Sequence, residues 1–273
     1  MIIIVASLPD VASANIRRKL LEGAPWEEDG RFDGQPLYRL EDRLLLTIGD
    51  LHLHRDGLDR EIRETLGVNP EVIVFASRHR SERGIPSFTV HPLGNFGAAD
   101  FGGRPGRLVP TSPSWMTETL RLLRARTADY PHAVTFEATH HGPYLDTPAF
   151  FVELGSGPIE WEEEGPAAAV AETLLAMRPT EAPVLLGVGG GHYVPRMTDV
   201  ALSRRASFGH LIPSYAAEAL TENMLQQAVA KTPSARFAYV HRKALKGSTR
   251  RRVLDLIEEA GLRVVRERDL EPL

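Results

Sequence analysis

The feature that most restricts the fold is a series of short apolar runs, rich in β-branched residues, in which polar and apolar positions do not alternate. The runs are Ile2–Ala6, Leu44–Ile48, Glu71–Ala76, Phe88–Val90, Ala133–Phe136, Ala149–Leu154, Pro183–Val188, Arg236–Val240 and Leu262–Val265. Such runs are typical of strands that are covered on both faces. Because segments typical of helices separate most of them, the sequence predicts an α/β fold with a central mixed or mostly parallel sheet flanked by helices.

No break in composition divides the chain, and we therefore expect a single domain over residues 1–273. The predicted helices are one that runs through Leu20, Leu58–Leu66, one that starts at Ser114, Pro158–Met177, about Ala216–Lys231 and Ser248–Ala260. Two segments rich in glycine and proline interrupt this pattern. We interpret residues 23–34 as a surface excursion around Trp26, and residues 97–113 as a mobile connector.

Composition excludes several kinds of site. The chain has no cysteine, so disulfides, thiolate nucleophiles and cysteine-type zinc sites are all ruled out, and any metal must be held by His, Asp or Glu. The net charge of -4 excludes a protein that is basic throughout, but it allows a local basic face. The apolar amino end lacks a cationic segment before it, and we expect a first strand, not a signal peptide, in a soluble cytoplasmic protein.

Histidines stand beside glycine at three predicted strand ends. Glu137, His140 and His141 follow the run Ala133–Phe136, His91 follows Phe88–Val90, and His192 follows the loop Gly189–Gly191. Open α/β sheets build their sites at the carboxyl ends of strands, so these side chains are expected to converge. The alternative is that some of these histidines only hydrogen-bond the backbone in loops.

Imidazole and carboxylate groups suit zinc, and a catalytic zinc site usually has three protein ligands and one position for water. The candidate ligands are His91, Glu137, His140, His141, His192, Asp199 and His210. Their spacing is not diagnostic, because no His-Glu-x-x-His motif is present. Adjacent histidines on an extended strand point to opposite faces, although a turn at Gly142-Pro143 could bring His140 and His141 together. Without cysteine or a Gly-x-Ser-x-Gly elbow, hydrolysis by an activated water is the simplest chemistry.

Two further patterns suggest binding. The backbone N–H groups of Gly190 and Gly191 could cradle a phosphate or an oxyanion, although a tight exit from a strand explains the same glycines. Basic residues form groups that could contact a nucleic-acid backbone, or could be solvated faces with ion pairs. The basic residues assigned to such contacts are Arg204, Arg205, Arg242, Lys243, Lys246 and Arg250.

Four motifs in order resemble those of the archaeal and plant-type D-aminoacyl-tRNA deacylases. They are His91–Gly97, Phe136–Pro143, Gly187–Tyr193 with Pro195-Arg196, and Gly209–Tyr215. The resemblance covers nearly the whole chain. It implies a zinc-dependent hydrolase that cleaves the ester between a D-amino acid and tRNA, in chiral proofreading of tRNA charging. It also implies a phosphorylase/hydrolase-like fold, akin to bacterial peptidyl-tRNA hydrolase.

Within this resemblance we hypothesise a role for each group. Zn²⁺ and its hydroxide are held or activated by Glu137 and by His140, His141 or His192, with His210 as a further candidate ligand. Gly190 and Gly191 steady the oxyanion, and His91 or Asn95 contacts the ribose or the amino acid. The basic residues hold the acceptor end of tRNA, and we expect a monomer with no membrane contact. Two alternatives remain: a non-catalytic tRNA-binding protein with a structural metal, and a zinc-dependent peptidase or amidohydrolase that acts on small substrates.

Overall fold

The computed structural model describes all residues, 1–273. The strands are β1 (Ile2–Ser7), β2 (Glu27–Phe32), β3 (Gln35–Leu40), β4 (Arg43–Ile48), β5 (Val72–Arg78), β6 (Ser87–Pro92), β7 (Ala133–Phe136), β8 (Ala149–Gly155), β9 (Val184–Val188), β10 (Ser207–Ile212), β11 (Ala235–Val240) and β12 (Arg263–Val265). The helices are α1 (Val11–Gly23), α2 (Leu58–Leu66), α3 (Pro113–Arg126), α4 (Pro158–Glu162), α5 (Glu164–Ala176), α6 (Pro195–Ser203), α7 (Ser214–Glu218), α8 (Glu222–Ala230) and α9 (Gly247–Glu259). None of these helices has the length and apolar character needed to cross a bilayer.

The larger sheet has eight strands in the order β2-β3-β4-β1-β5-β8-β6-β7. Its centre is parallel, because β1 pairs in parallel with β4 and β5, and β5 pairs in parallel with β8. Strand β6 lies antiparallel to β8 and parallel to β7 at one edge. Every residue of β1, β4, β6 and β8 is buried, as expected of strands covered on both faces. The predicted α/β class with a mixed sheet flanked by helices is confirmed.

The surface excursion predicted at residues 23–34 is exposed, but it contains a regular strand that was not predicted. Residues Glu27–Phe32 form β2, which pairs with β3 in an antiparallel hairpin closed by Asp33 and Gly34, both with positive φ. The strand was missed because β2 lies at the edge of the sheet, where five of its six residues are exposed and need not be apolar.

A second sheet of four parallel strands, in the order β10-β9-β11-β12, comes from the carboxyl-terminal part of the chain. Strand β10 of this sheet and helix α6, which connects β9 to β10, were not predicted. Gly209 and His210 interrupt the apolar pattern of β10, and a Cβ at Gly209 would lie 2.1 Å from Thr232 Cγ2. The helix predicted from Ala216 to Lys231 is two helices, because the Thr221 side chain accepts a hydrogen bond from Met224 N and starts α8.

One hydrophobic cluster contains residues of both sheets, including Ile4 and Val90 from the first and Leu185 and Phe208 from the second. Helix α3 packs against β6, β7 and β10 and fills the space between the sheets. The two sheets also meet at a backbone bridge between Glu137, just after β7, and Tyr193, in the loop after β9. This bridge brings the histidine-containing loops of the two sheets side by side.

Candidate metal and catalytic centre

The predicted convergence of the histidines is seen in the structure, and it draws on both sheets. His91 lies on β6, His140 and His141 follow β7, and His192 follows β9. A bridge between Leu93 and His140 holds the loop after β7 against the end of β6. The imidazole centroids of His140 lie 4.1 Å from His91, 4.3 Å from His141 and 4.6 Å from His192.

Three of these imidazoles form a preorganised donor set. His91 Nδ1 lies 3.2 Å from Pro92 O, His140 Nδ1 lies 2.8 Å from Ala138 O, and His141 Nδ1 lies 2.7 Å from Gly142 O. A carbonyl oxygen only accepts, so each Nδ1 carries a proton; the rings of His140 and His141 keep the lone pair on Nε2, whereas Nε2 of His91 lies 3.6 Å from Glu153 Oε1. The φ of His141 is 41°, and this left-handed conformation turns two adjacent histidines toward one point. Ligand atoms of His91, His140 and His141 lie within 4.8 Å of one another.

This donor set fits a zinc ion. The Nε2 atom of His91 is buried and has no hydrogen-bond partner, which is costly unless a ligand satisfies it. Burial, reinforced by the neighbouring His91, lowers the pKa of His140 well below its usual range and that of His141 to about 4. Both rings are therefore neutral near pH 7, the state in which imidazole binds metals. For His91, burial lowers the pKa but the adjacent Glu153 outweighs it, and the pKa is raised.

Glu137 is the carboxylate of the centre that faces His140 and His192. Its side chain is fully buried, with Oε2 3.0 Å from His192 Nε2 and 3.5 Å from His140 Nε2, yet neither oxygen has a partner in hydrogen-bonding geometry. Burial raises the pKa of Glu137, but His192 and His79 outweigh burial and hold the pKa well below its ordinary value. Glu137 is therefore ionised. It can hold a metal together with His140 and His192, or accept a proton from a water beside them.

Sequence reasoning missed two buried residues of the centre, His79 and Glu153. His79 Nδ1 lies 2.9 Å from Glu137 Oε1 and 3.3 Å from Glu153 Oε2, and its Nε2 lies 2.7 Å from the Tyr193 hydroxyl. Burial lowers the pKa of His79, but the two carboxylates outweigh it and raise the pKa to about 11. Glu153 also accepts a hydrogen bond from the Thr89 hydroxyl at 3.1 Å. The signal for Glu153 was a lone acid within a fully buried strand.

His210, predicted as a ligand, does not join the cluster. It is fully buried on β10, its Nδ1 lies 3.1 Å from Thr139 Oγ1, and it belongs to no group of converging metal donors. Burial lowers its pKa to about 3, so it is a neutral residue of the interior. Asp199, also considered as a ligand, pairs with Arg196 at 3.2 Å on the surface.

The predicted oxyanion donors and substrate contacts also separate. The N–H of Gly190 donates to Ser214 Oγ at 3.1 Å and is not free for an oxyanion. Gly191 is exposed, and its N–H donates no hydrogen bond within the protein. The Asn95 side chain donates to Gly102 O at 3.0 Å and to Arg104 O at 3.4 Å, so it anchors the loop 97–106. It also lines a cavity of about 480 Å³ beside His140 and His141.

The basic residues divide between two edges of the second sheet. Arg204 and Arg205 precede the amino end of β10 and pair with Glu267 and Glu271, at 3.3 and 2.9 Å. A six-residue strand, about 20 Å long, separates them from the edge where His192 lies, so their assignment as tRNA contacts stays a prediction for a part of the acceptor stem away from the ester. Arg242 and Lys243 follow β11, which is parallel to β9, and are exposed on the edge of Gly190 and His192.

Lys246 and Arg250 follow Arg242 and Lys243 on that same side of the sheet. Lys246 forms an exposed ion pair with Glu218 at 2.8 Å, which leaves its charge accessible to solvent. Arg250, at the start of α9, is exposed. Four of the six predicted basic contacts therefore lie toward the edge that carries the centre.

Comparison with known proteins gives one consistent result. The model of the family described as D-aminoacyl-tRNA deacylase matches residues 66–265. A D-aminoacyl-tRNA deacylase of Thermococcus kodakarensis is 40% identical, over 98% of this chain and 100% of the relative. One of Methanosarcina mazei is 38% identical, over 98% and 93%. A crystal structure of a conserved protein of unknown function, 33% identical, superposes with a TM-score of 0.92 over 99% of this chain and 96% of that chain.

Proposed function

Because the chain belongs to the D-aminoacyl-tRNA deacylase family, we propose that it hydrolyses the ester bond of D-aminoacyl-tRNA, with zinc, to free D-amino acid and tRNA. The observation that carries the chemistry is the set of three imidazoles, each with Nδ1 fixed by a backbone carbonyl, beside the ionised Glu137. Such an activity removes wrongly charged tRNA before translation uses it, and we propose that the protein acts in the cytoplasm.

In this proposal, His91, His140 and His141 hold the zinc ion. A bound zinc supplies Lewis acidity, which lowers the pKa of a water molecule and polarises a carbonyl group. The backbone carbonyls that accept each Nδ1 proton hold the three rings in fixed orientations. Such contacts outside the ligand set also raise the basicity of metal ligands. The rings of His140 and His141 are neutral and do not have to lose a proton before they bind, whereas His91, whose pKa is raised by Glu153, gives up its Nε2 proton on binding.

Glu137 is the proposed general base. Its Oε2 accepts a proton from the attacking water as the water oxygen bonds to the ester carbon. When the bond between that carbon and the ribose oxygen breaks, Glu137 returns the proton to the leaving oxygen, so that water and ester give an acid and an alcohol. His192, at 3.0 Å from Oε2 and with 45% of its side chain exposed, faces the substrate side of Glu137.

His79 and Gly191 complete the proposed arrangement. The charged ring of His79 lies against Oε1 of Glu137, which leaves Oε2 for the proton transfer. Tyr193 orients that ring from its other side. The free N–H of Gly191, one residue before His192, is the proposed donor to the oxyanion of the tetrahedral intermediate.

The tRNA would be held by the basic residues on the same edge, Arg242 and Lys243 first, with Lys246 and Arg250 beside them. A structural zinc would be closed by four protein ligands, whereas His140 and His141 border an open cavity. The open cavity favours an enzyme over a non-catalytic tRNA-binding protein. The exposed basic edge favours a tRNA ester over the small substrates of a peptidase or amidohydrolase.

The test is hydrolysis of D-aminoacyl-tRNA by the wild-type protein and by the His140→Ala/His141→Ala double variant. We expect turnover by the wild type and none by the variant, with an unchanged unfolding temperature. His132→Ala is the matched control, because His132 is a histidine paired with Glu163 at 3.1 Å outside the centre. Full activity in the double variant, or equal loss in His132→Ala, would overturn the proposal.

A further inference from the structure

Two cavities flank the histidine cluster. The larger has a volume of about 480 Å³, and its walls include Asn95, Phe96, Tyr215, Leu220 and Met224. The smaller has a volume of about 320 Å³, and its walls include Asp10, Leu53, Ser77, Arg80 and Glu153. Both are as large as typical ligand sites. His140, His141 and Phe101 line both cavities and form the partition between them.

This division matches the shape of an aminoacyl ester, in which the scissile carbonyl lies between a nucleoside and an amino acid. We propose that the larger cavity receives the 3′-terminal adenosine of tRNA and the smaller one the D-aminoacyl group. The carbonyl then lies at the partition, beside His140 and His141. This assignment rests on the proposed deacylase function and adds the direction in which the substrate lies.

The walls of the cavities differ in the way the assignment requires. Eight of the sixteen residues that line the larger cavity are hydrophobic, against three of thirteen in the smaller. Tyr215 and Phe101 are 60% and 68% exposed, so each offers a free aromatic face on which an unpaired base can stack. The walls of the smaller cavity are mostly polar and charged, with the carboxylates of Asp10 and Glu153 beside the guanidinium groups of Arg78 and Arg80, which suits the polar ammonium and carbonyl groups of an aminoacyl ester.

The position of Arg242 and Lys243 also supports the assignment of the terminal adenosine to the larger cavity. Helix α7 lines the larger cavity with Tyr215 and Ala216. On its other side it is tied to the segment that carries the basic residues, since Ser214 Oγ donates to Ala244 O at 2.9 Å. Phosphates that precede the terminal adenosine would therefore cross α7 and reach Arg242 and Lys243. Arg78, which lines the smaller cavity, is held by a cation–π contact, with its guanidinium 5.3 Å from the centre of the Trp161 ring.

The experiment compares one variant in each cavity. Tyr215→Ala removes a stacking surface from the larger cavity, and Leu53→Phe narrows the smaller. Each is assayed by kcat/KM on tRNA charged with D-alanine and with D-tyrosine, and by calorimetric titration with the trinucleotide CCA. Tyr215→Phe keeps the ring and should retain the binding of CCA. Ile159→Ala, which truncates an exposed side chain outside both cavities, is the control and should behave as wild type.

We expect Tyr215→Ala to weaken CCA binding roughly 5- to 150-fold, the range of stacking on one aromatic side chain. It should lower kcat/KM by the same factor for both amino acids. Leu53→Phe should leave CCA binding unchanged and reduce kcat/KM more for D-tyrosine than for D-alanine.

The assignment is overturned if Tyr215→Ala binds CCA as the wild type does, if its loss of activity depends on the amino acid, or if Leu53→Phe affects both substrates equally. In each of these cases the wild type still hydrolyses both substrates, so the deacylase function stands. A wild type that hydrolyses neither substrate contradicts the function itself.

Discussion

Replacement of Glu137 by glutamine separates the two roles that this carboxylate could have. The change keeps the size of the side chain and removes its charge and its ability to accept a proton. The three imidazoles of the donor set are fixed by backbone carbonyls and do not depend on Glu137 for their orientation. Loss of a general base lowers kcat by about 10²- to 10⁴-fold, or about 3–5 kcal/mol in the activation free energy. We therefore expect a protein with a kcat lowered by this factor that still binds one zinc ion.

The assay is single-turnover hydrolysis of D-aminoacyl-tRNA, together with zinc content by elemental analysis and the temperature of thermal unfolding. His79 keeps Glu153 as a charged partner at 3.3 Å, so the variant should stay folded. Glu163→Gln is the control, because Glu163 also pairs with a histidine but lies outside the centre. A kcat within threefold of the wild type would refute the role of Glu137 as the base. Joint loss of zinc and activity would show that Glu137 is a metal ligand instead.

Three further predictions concern residues around the centre. His210→Gln should flatten the decline of the unfolding free energy below pH 6.5. The folded chain binds a proton at His210 only near pH 3, whereas the unfolded chain binds it near pH 6.5, and at pH 5 this difference costs the fold about 2 kcal/mol. Denaturant titration at several pH values measures the effect. Asn95→Ala removes two hydrogen bonds to the loop 97–106, about 1 kcal/mol each, and should raise KM and speed hydrogen exchange in that loop; unchanged exchange would contradict the anchoring role. Arg242→Ala/Lys243→Ala should reduce the slope of log binding constant against log salt by about 0.7 per lost phosphate contact, whereas Arg205→Ala should leave that slope unchanged.

The fold class could be predicted because a strand that is buried on both faces has a short, continuous apolar run in the sequence. Runs such as Ile2–Ala6 and Ala149–Leu154 had to be central strands, and Gly67 ends α2 at the predicted position with a left-handed φ of 65°. The division of the strands into two sheets has no such local sequence signal. It depends on which strands pair, and the antiparallel placement of β6 beside β8 is decided by packing between distant segments.

The same distinction applies to the centre. His140, His141 and His192 stand out in the sequence because they adjoin glycine at strand ends, where loops carry sites. His79 and Glu153 become site residues only through the register of β5 with β8, which sets Ser77 opposite Glu153. The tautomers of the histidines follow from carbonyl positions that no motif describes.

The central claim is that this chain is a zinc-dependent hydrolase of D-aminoacyl-tRNA. It is tested most directly by the rate of hydrolysis of one amino acid as its D- and L-aminoacyl-tRNA, before chelation, after chelation, and after zinc is restored. We predict rapid hydrolysis of the D-aminoacyl-tRNA alone, loss of that activity when zinc is removed, and recovery with stoichiometric zinc. Undiminished hydrolysis by protein shown to be metal-free, or equal hydrolysis of the L-aminoacyl-tRNA, would contradict the claim.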